Sequence, residues 1–582
     1  MKQDKPSLDI VGDVVGEPLT RHDQATLTDL VDDYRSRRIT RGSFLRSTAV
    51  FGLSATSLSG LLAACGGDGK QAAATTTGAT QRTSAKLNVG IGQDADTVDP
   101  QAFKSIPGYY MLANLYDQLI DLEPTRDGDL LKVGAAPMID KTMQVSDDRL
   151  TATFNLDPNA KFEDGSPITS ADVKYTFTRG IKGTQYTSIL MGMLTLSKPE
   201  NIQTPDEQTV IFKLDKPNPM LERLLSLQVL SIQSKAKGEA AATAKDKFSD
   251  AYWRSNVFAN SAYTLKSWNR GEGFELAPNA NYNRKGRPKN GGLVFRIISD
   301  PQERLNLLKS GDLHISYDVS AKDAAAIRDE GGNSKLISAP SPWNFALSFN
   351  NSQKPFDDVR VRQALSYAVP YDAIINDVMH GLARPSKSIV VPGMDTSDQS
   401  FWKYDTNMQK AKEMLTAAGH PDGFNSSIDV LIGRAEDEQA ATFIQSSFRE
   451  IGVNVEIRKL AEAQYQANRN DAKSPMQMIE FFSWVNDPMY HMFWNMLSTN
   501  AFTNSSRYNN KTVDKLILDG LYEPDLAKRE SLSKQAQKTI VEEAPWAFLY
   551  ARDYYVPVAK NLTDYPLWPD QNPRLYWSYL SA

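Results

Sequence analysis

One short segment of the chain combines dense aromatic side chains with a single acidic one. Residues 481–494 read FFSWVNDPMYHMFW, and six of the fourteen positions are Phe, Trp or Tyr around the lone carboxylate of Asp487. Aromatic rings bury the apolar surface of a small molecule, and a desolvated carboxylate fixes a cationic group. The pattern is therefore typical of a ligand wall in which Trp484 and Asp487 take part. A strand and a helix that line the core would explain most of these rings equally well.

Motifs for catalysis, cofactors and metals are missing from the sequence. It contains no GxSxG, GxxxxGK[ST] or HExxH pattern, and Gly90 and Gly92 lack the third glycine and the following helix of a dinucleotide site. The histidines are scattered without the short spacings of zinc or copper ligands. We expect no catalytic residues, no metal and no cofactor.

Charge and cysteine content exclude further classes of protein. The 582 residues carry 65 basic and 70 acidic side chains, a net charge of -5. The sequence therefore lacks the excess of basic side chains that is typical of a protein that binds nucleic acid. The single cysteine cannot close an intramolecular disulfide or supply a structural zinc site. Its position therefore needs a different explanation.

Cys65 ends a segment that is typical of an export signal. Residues 47–64 carry no charge and follow an arginine-rich stretch, which is a basic region before a weakly apolar one. The sequence Leu62-Ala63-Ala64-Cys65 resembles the bacterial lipoprotein box, whose cysteine is acylated after cleavage. We predict lipidation of Cys65, with residues 1–64 as an export signal that has an acidic preface and residues 65–86 as a flexible tether. Twin-arginine and general secretory export both fit this leader.

Two strand-helix-strand patterns provide the elements that would position a site. The first spans residues 294–317, with a short helix that ends at Gly311, and the second spans residues 429–457. Such units imply parallel strands with right-handed crossovers. Between them, three helices are predicted: one capped by Asp357 or Asp358, one opened by Pro370, and one over residues 409–418. The chain is therefore predicted to be an α/β protein.

Read in order, several motifs resemble those of the peptide/nickel type of ABC-transporter extracellular solute-binding protein, the oligopeptide/dipeptide-binding family 5. The resemblance covers residues 87–582, and Pro370-Tyr371 departs from it where the family usually carries an aspartate-arginine pair. The motifs are NLYDQLIDLEP (114–124), SDDRLTATFNLDPNAKFEDGSPITSADVKYTFTRG (146–180), NSAYTLKSWNRGEGFELAPNANY (260–282), FNNSQKPFDDVRVRQALSYAV (349–369), AKEMLTAAGHPDGF (411–424), EIGVNVEI (450–457) and EEAPWAFLY (542–550).

The resemblance implies the class II periplasmic-binding-protein fold in an enlarged two-lobed form with an extra inserted domain, three domains in all. The two strand-helix-strand units fall one in each implied lobe. The implied segments are 87–122, 251–350 and 551–582 for lobe I, 123–250 for inserted domain II, and 351–550 for lobe II (domain III).

The resemblance also implies site residues in the cleft between the lobes. In peptide-binding relatives the ligand's α-ammonium group lies on an aspartate three residues after a tryptophan, which is the spacing of Trp484 and Asp487. In the alternative, Asp487-Pro488 is a second Asp-Pro element of the family with a deletion before it, and the ammonium anchor is missing. The remaining candidates are backbone or amide contacts from Ser483, Val485 and Asn486, and cleft-lining side chains from Tyr109, Trp343, Asn344 and Phe345.

The implied function is capture of a di- or oligopeptide and its delivery to the permease and ATPase subunits of an ABC importer, by a monomeric lipoprotein outside the cytoplasm. Other solutes stay open: an oligosaccharide, an opine-like compound or a nickel chelate. An exported hydrolase would need a nucleophile and base or paired carboxylates, for which the sequence offers no motif. A purely structural envelope protein would show no ligand-induced change in tryptophan fluorescence.

Overall fold

The computed structural model describes residues 84–125, 130–131, 134–183, 185–482, 484–500 and 503–581. The predicted export signal, the lipidation site Cys65 and the contact residue Ser483 lie outside these residues. All of the elements below belong to one compact unit, Thr80–Ala582. Among the described residues, no helix is both long and apolar enough to span a bilayer.

The strands are numbered in chain order. They are β1 Leu87–Ile91, β2 Ile120–Leu122, β3 Ala135–Pro137, β4 Asp140–Val145, β5 Thr151–Leu156, β6 Ile202–Gln203, β7 Thr209–Lys213, β8 Tyr263–Asn269, β9 Gly273–Pro278, β10 Leu293–Ile297, β11 Ile315–Ser316, β12 Ser334–Phe349, β13 Ala383–Pro385, β14 Asn425–Leu431, β15 Asn454–Leu460, β16 Met476–Phe481, β17 Trp546–Ala559, β18 Leu562–Thr563 and β19 Tyr579–Leu580.

The helices are numbered in the same way. They are α1 Ile106–Leu115, α2 Ser170–Lys182, α3 Gln185–Met193, α4 Leu221–Leu225, α5 Lys235–Ala241, α6 Asp250–Trp253, α7 Pro301–Ser310, α8 Ala321–Glu330, α9 Val359–Ala368, α10 Tyr371–Ala373, α11 Met408–Ala417, α12 Ala435–Glu450, α13 Glu462–Asn470, α14 Pro488–Met496, α15 Lys511–Leu521 and α16 Leu526–Glu543.

The predicted strand-helix-strand units are confirmed. In the first, α7 joins β10 to β11 and ends at Gly311, whose φ of 91° is the left-handed cap that glycine adopts without strain. Both strands are parallel to β1, which lies between them in the sheet. In the second unit, α12 joins the adjacent parallel strands β14 and β15. The α/β class predicted from these patterns is therefore confirmed.

The main sheet has eleven strands among the described residues, in the order β15-β14-β16-β12-β17-β11-β1-β10-β9-β8 with β13 on β17. The long antiparallel pair of β12 and β17 joins its two halves, because β12 pairs with β16 at one end and β17 pairs with β11 at the other. The register of the pair shifts between Pro340 and Trp343. A bulge bends the strands locally, so the chain turns at the point where it passes from one half of the sheet to the other.

A second, four-stranded antiparallel sheet in the order β4-β5-β7-β6 lies within residues 123–250, the segment predicted as an inserted domain. Its strand β5 alternates buried and half-buried residues, as expected for a strand with one face on a core. Helix α2 of the same segment packs against β7. Its N-cap residue is Thr169, whose backbone N–H donates to the side chain of Asp172. The domain boundaries themselves stay a prediction.

The three helices predicted in the middle of the chain are present, with one difference. Asp358 caps α9 by accepting the N–H of Arg360, and α11 ends just before Gly419. The helix predicted after Pro370 is a single α-turn, α10, that continues as a π-helix over Ile374–Val378. Wider i to i+5 turns of this kind are inserted in short stretches, and a pattern of apolar residues does not distinguish them from an α-helix.

Candidate functional site

A row of five aromatic rings crosses the region between the predicted lobes. The ring centroids of Phe103 and Tyr109 lie 4.1 Å apart, and those of Tyr109 and Trp484 lie 3.9 Å apart. Phe482 lies 5.7 Å from Trp484 and 5.5 Å from Trp343. We call these five residues the aromatic row. It brings together three residues that the sequence had placed in the cleft, Tyr109, Trp484 and Trp343.

The first end of the row is fixed by helix α1. Ser105 caps this helix by accepting the N–H of Gly108 at 3.1 Å, and Pro107 occupies its first turn, where no backbone N–H is required. Nearly every residue of α1 is buried, and Tyr109 is 5 % exposed. The ring of Tyr109 is therefore held by a rigid element on the lobe I side.

The second end of the row lies on the antiparallel pair of β12 and β17, which join the halves of the main sheet and are called the crossing strands below. Trp343 on β12 is directly opposite Arg552 on β17, and the guanidinium carbon lies 3.8 Å from the centre of the indole ring. Phe345 and Tyr555 flank the same guanidinium at 5.5 Å. Arg552 is not among the residues predicted from the sequence, although it stands in the middle of the largely apolar strand WAFLYARDYYVPVA.

Asn344 and Phe345, predicted to line the cleft, make internal contacts in this structure. The Asn344 side chain is buried, and its Nδ2 donates to the carbonyl oxygens of Ser388 at 3.0 Å and Ile389 at 3.3 Å. Phe345 is 4 % exposed and stacks on Tyr550 with ring centroids 4.8 Å apart. Their contact with a ligand stays a prediction.

Charged side chains from β16 and α12 lie on the same side of the sheet as Phe345, which pairs in register with Glu480. Glu480 is 2.5 Å from Arg434, and Asp437 is 3.7 Å from the same arginine. Burial raises the pKa of Asp437 to about 7. Glu436 is also engaged, because it accepts the backbone N–H of Ala321 at the start of α8 at 2.7 Å.

The loop between β16 and α14 carries most of the predicted ligand contacts. Val485 is buried, and Asn486 has a φ of 51°, a left-handed conformation that asparagine tolerates better than most residues. The Asn486 Nδ2 donates to the carbonyl oxygen of Leu130, and its own carbonyl oxygen accepts from Arg223, both at 2.9 Å. The loop is thus tied to residues of segment 123–250.

Asp487 is occupied by partners within the protein. Its Oδ1 caps α14 by accepting the N–H groups of Met489 at 2.9 Å and Tyr490 at 3.2 Å, and Arg529 approaches the same oxygen to 2.7 Å. The Arg223 guanidinium lies 3.7 Å from the other oxygen. Burial alone would raise the pKa of Asp487, but the two arginines and the N–H donors hold it below the usual value. Pro488 at the first helical position completes the start of this helix.

His491 is the one histidine of the aromatic segment, and it is fully buried against Phe481 with ring centroids 5.0 Å apart. Burial lowers its pKa to about 3, so the imidazole is neutral near pH 7. Within the part of the chain that the structure describes, no three histidine, cysteine or acidic side chains come together as metal ligands do.

Comparison with known proteins assigns the family. Residues 135–503 match the family described as bacterial extracellular solute-binding proteins, family 5 Middle. Among curated relatives, the glutathione-binding protein GsiB of Shigella dysenteriae is 26% identical over 498 residues, which cover 83% of this chain and 92% of GsiB. GsiB of Escherichia coli strain K12 is 25% identical over the same shares of the two chains.

Solved structures show the same architecture. Helicobacter pylori DppA in complex with the peptide STSA superimposes with a TM-score of 0.74 at 21% identity, covering 86% of this chain and 99% of DppA. AgaA of A. tumefaciens R10 in complex with agropinic acid gives 0.71 at 25% identity with the same coverage. The predicted class II periplasmic-binding-protein fold in its enlarged form is therefore confirmed. The chain belongs to the family 5 bacterial extracellular solute-binding proteins, the peptide/nickel type that serves ABC importers.

Proposed function

We propose that the protein captures a di- or oligopeptide in the cleft between its two lobes and delivers it to the permease of an ABC importer. The observation that carries the proposal is the aromatic row, which joins Tyr109 on the lobe I side to Trp484 and Trp343. A largely apolar wall with a few polar groups is the usual composition of a site that buries a small ligand. The relatives support a peptide, since GsiB is named for glutathione binding and DppA holds the peptide STSA.

The mechanism is closure of the lobes around one solute, without any change to the bonds of the solute. The bulged pair of β12 and β17 is the place for the bend, because these two strands join the halves of the main sheet. A ligand favours the closed state only to the extent that it binds that state more tightly. Rings contributed by both lobes meet this condition, since they contact one ligand together only on closure.

Within the cleft, we assign Trp484 and Tyr109 to apolar contact with the ligand and the loop 483–486 to polar contact. We assign Asp487 to stabilising this loop and not to ligand contact, because two backbone N–H groups and two arginines already surround its carboxylate. In this arrangement Asp487-Pro488 is the helix-capping element, and the ligand's ammonium group does not bind there.

The occupied carboxylate of Asp487 favours a second candidate ligand, an opine-like acid without a free α-ammonium group. Such a ligand needs no buried carboxylate to pair with, so the ion pair between Asp487 and Arg529 is compatible with it. AgaA, which is 25% identical to this chain, was solved with agropinic acid. Peptide remains the first candidate because the similarity to GsiB, which is named for glutathione binding, extends over 92% of the GsiB chain.

Outside the cleft, we propose that Cys65 carries the lipid that anchors a monomeric receptor to the membrane, on the extracytoplasmic side and next to the permease and ATPase subunits. The support is the lipoprotein-like sequence before Cys65 and the polar stretch 66–86 after it. Cys65→Ala should move the protein from the membrane fraction to the soluble fraction and abolish labelling by a radioactive fatty acid. Ser43→Ala, a change in the same leader, should leave both unchanged. Equal membrane association of Cys65→Ala and the wild type would refute lipidation.

The ligand proposal is tested first by mass spectrometry of whatever co-purifies with the protein. A peptide mass supports the first candidate, and a non-peptide acid supports the second. Calorimetry with mixed tri- to pentapeptides then measures affinity. Trp484→Ala should weaken binding at least tenfold by removing an aromatic contact of about 1.4 kcal/mol or more. Trp268→Ala, whose indole pairs with Asp94 away from the aromatic row, is the matched control.

Two results would overturn the binding function, and a third would overturn the site that we assign to it. Hydrolysis of the peptide during long incubation would indicate an exported enzyme. Tryptophan fluorescence that no solute changes would indicate a structural envelope protein. Equal affinity in Trp484→Ala and the wild type would remove the aromatic row from the site.

A further inference from the structure

Three segments of the chain meet at one end of the main sheet. They are residues 84–88, the loop 281–291 between β9 and β10, and the C-terminal residues 575–581. The backbone N–H of Gly291 donates to the carbonyl oxygen of Ala85 at 2.8 Å. The side chain of Asn290 donates to the carbonyl oxygens of Leu575 and Ser578, both at 2.9 Å. The three segments contain five basic residues and no acidic one: Lys86, Arg284, Lys285, Arg287 and Lys289.

Two aromatic rings of the C-terminal segment contact these cations. The guanidinium carbon of Arg287 lies 3.4 Å from the centre of the Trp577 ring, and the Lys289 ammonium group lies 5.4 Å from the centre of the Tyr579 ring. Both rings are half-buried, and Lys285 in the same loop is exposed. A contact with an aromatic face leaves the charge of the cation in place. Basic residues combined with Trp and Tyr are typical of a surface that lies where a membrane meets water.

The acidic partners of these cations come from other parts of the fold and do not balance them. They are Glu275, which is 2.5 Å from Lys86 and 3.1 Å from Lys266, Asp564, which is 2.5 Å from Lys289, and buried Asp117, whose charge acts on Arg284. Lys266 on β8 thus joins the cluster, and its six cations are paired with three carboxylates. We call the six cations, Trp577 and Tyr579 the basic end. It carries an excess of positive charge on a chain whose net charge is -5.

The basic end surrounds the point where the described part of the chain begins. Of the described residues, Ser84 is the one nearest along the chain to Cys65, the predicted lipidation site. The 19 peptide bonds between these two residues span about 65 Å at most. A lipid on Cys65 would therefore keep the basic end close to the bilayer. Anionic headgroups attract basic side chains at such a surface, and a lipid chain and a basic patch act together in membrane binding.

We propose that the basic end binds anionic lipid headgroups and so determines which end of the anchored receptor lies on the bilayer. This inference rests on the proposed lipid anchor at Cys65 and adds a second, electrostatic contact to it. The partner is the membrane surface, because the anchor holds this end of the protein there.

The experiment uses the wild-type protein, extracted in detergent and mixed with vesicles of phosphatidylcholine alone or of phosphatidylcholine with phosphatidylglycerol. Lysine acetylation followed by mass spectrometry measures the accessibility of Lys266 and Lys285. Lys515 on α15, which is 75% exposed, is the internal control. Lys86→Gln with Lys285→Gln removes two charges of the basic end. Lys511→Gln with Lys515→Gln removes two exposed charges from α15 and is the matched control variant.

We expect Lys266 and Lys285 to be acetylated at least about tenfold more slowly on the anionic vesicles, because each basic residue near an anionic surface contributes about a fivefold preference. Lys515 should be acetylated equally on both. The protection of Lys266 should be lost in the variant of the basic end and kept in the control variant.

The outcomes separate the basic end from the lipid anchor. Protein that stays on both kinds of vesicle with equal acetylation of Lys285 would overturn the basic end and leave the anchor standing. Binding to the anionic vesicles alone, with Lys285 protected, would support the basic end and overturn the anchor. Binding to neither kind overturns both. Protection of Lys285 in native membranes but not on vesicles would assign this surface to a protein partner and overturn the membrane contact.

Discussion

The strongest test of the loop geometry is to remove the charge of Asp487 and measure stability and binding together. Asp487→Asn keeps a good helix cap, because asparagine caps helices about as well as aspartate. It removes the buried anion that faces Arg529 at 2.7 Å and Arg223 at 3.7 Å. The substitution therefore isolates the ion pairs from the cap.

The expected loss is about 3–5 kcal/mol, the range for breaking a buried pair and leaving one charge without its partner. Unfolding entropies of about 2.1 cal/mol/K per residue over the roughly 500 residues of the compact unit give about 1 kcal/mol/K. The melting temperature should then fall by at least about 3–5 °C, and further if a single lobe unfolds as its own unit.

Differential scanning calorimetry measures the melting temperature, and Arg529→Met should lower it by a similar amount. The double variant Asp487→Asn with Arg529→Met should recover part of the loss, because no buried charge is left without a partner. Tri- to pentapeptides should bind folded Asp487→Asn with less than a threefold change in affinity. An unchanged melting temperature together with a large loss of peptide affinity would refute this reasoning and make Asp487 the ammonium anchor.

Two further results are expected. His491 has a pKa near 3 in the folded protein against about 6.5 unfolded, so the unfolded chain binds the extra proton and stability should fall by about 1.4 kcal/mol per pH unit between pH 6 and 3. The free energy of unfolding, measured with urea at each pH over this range, should depend less steeply on pH in His491→Gln than in the wild type. An identical pH dependence would contradict the burial argument. Arg223→Met should weaken the contact between segment 123–250 and the loop at Asn486, which small-angle scattering of the ligand-free protein should show as a larger radius of gyration. Equal radii in variant and wild type would show that this contact does not hold the cleft closed.

Local patterns were sufficient to predict several elements of the main sheet, but not α1 and β12, which carry Tyr109 and Trp343 at the two ends of the site. Alternation and helical spacing identified both strand-helix-strand units, and the left-handed glycine at 311 fixed where α7 ends. They failed at the helix after Pro370, because a π-helix buries the same apolar residues as an α-helix does. The position of β1 between β10 and β11 could not be predicted from local patterns either, because the order of strands in a sheet depends on contacts between residues distant in sequence.

The contacts within the site were harder to predict for the same reason. The partner of Asp487 is Arg529, 42 residues away on α16, and nothing in the segment 481–494 specifies that pairing. Trp343 and Arg552 are more than 200 residues apart and meet only because β12 and β17 pair in one register. The sequence could indicate a tryptophan and a carboxylate at a suggestive spacing, but only the fold distinguishes a carboxylate that faces the cleft from one that caps a helix.

That distinction changes how recognition and closure are coupled. If Asp487 held the ligand, the decisive contact would lie within the loop of one lobe and would be present in the open state as well. With Asp487 occupied, the contacts that we assign to the ligand lie on the aromatic row, whose rings come from both predicted lobes and whose last member, Trp343, lies on β12. A ligand bound there contacts the crossing strands and the rings of both lobes at once. Its affinity then depends on the closed arrangement, which is the differential binding that drives closure.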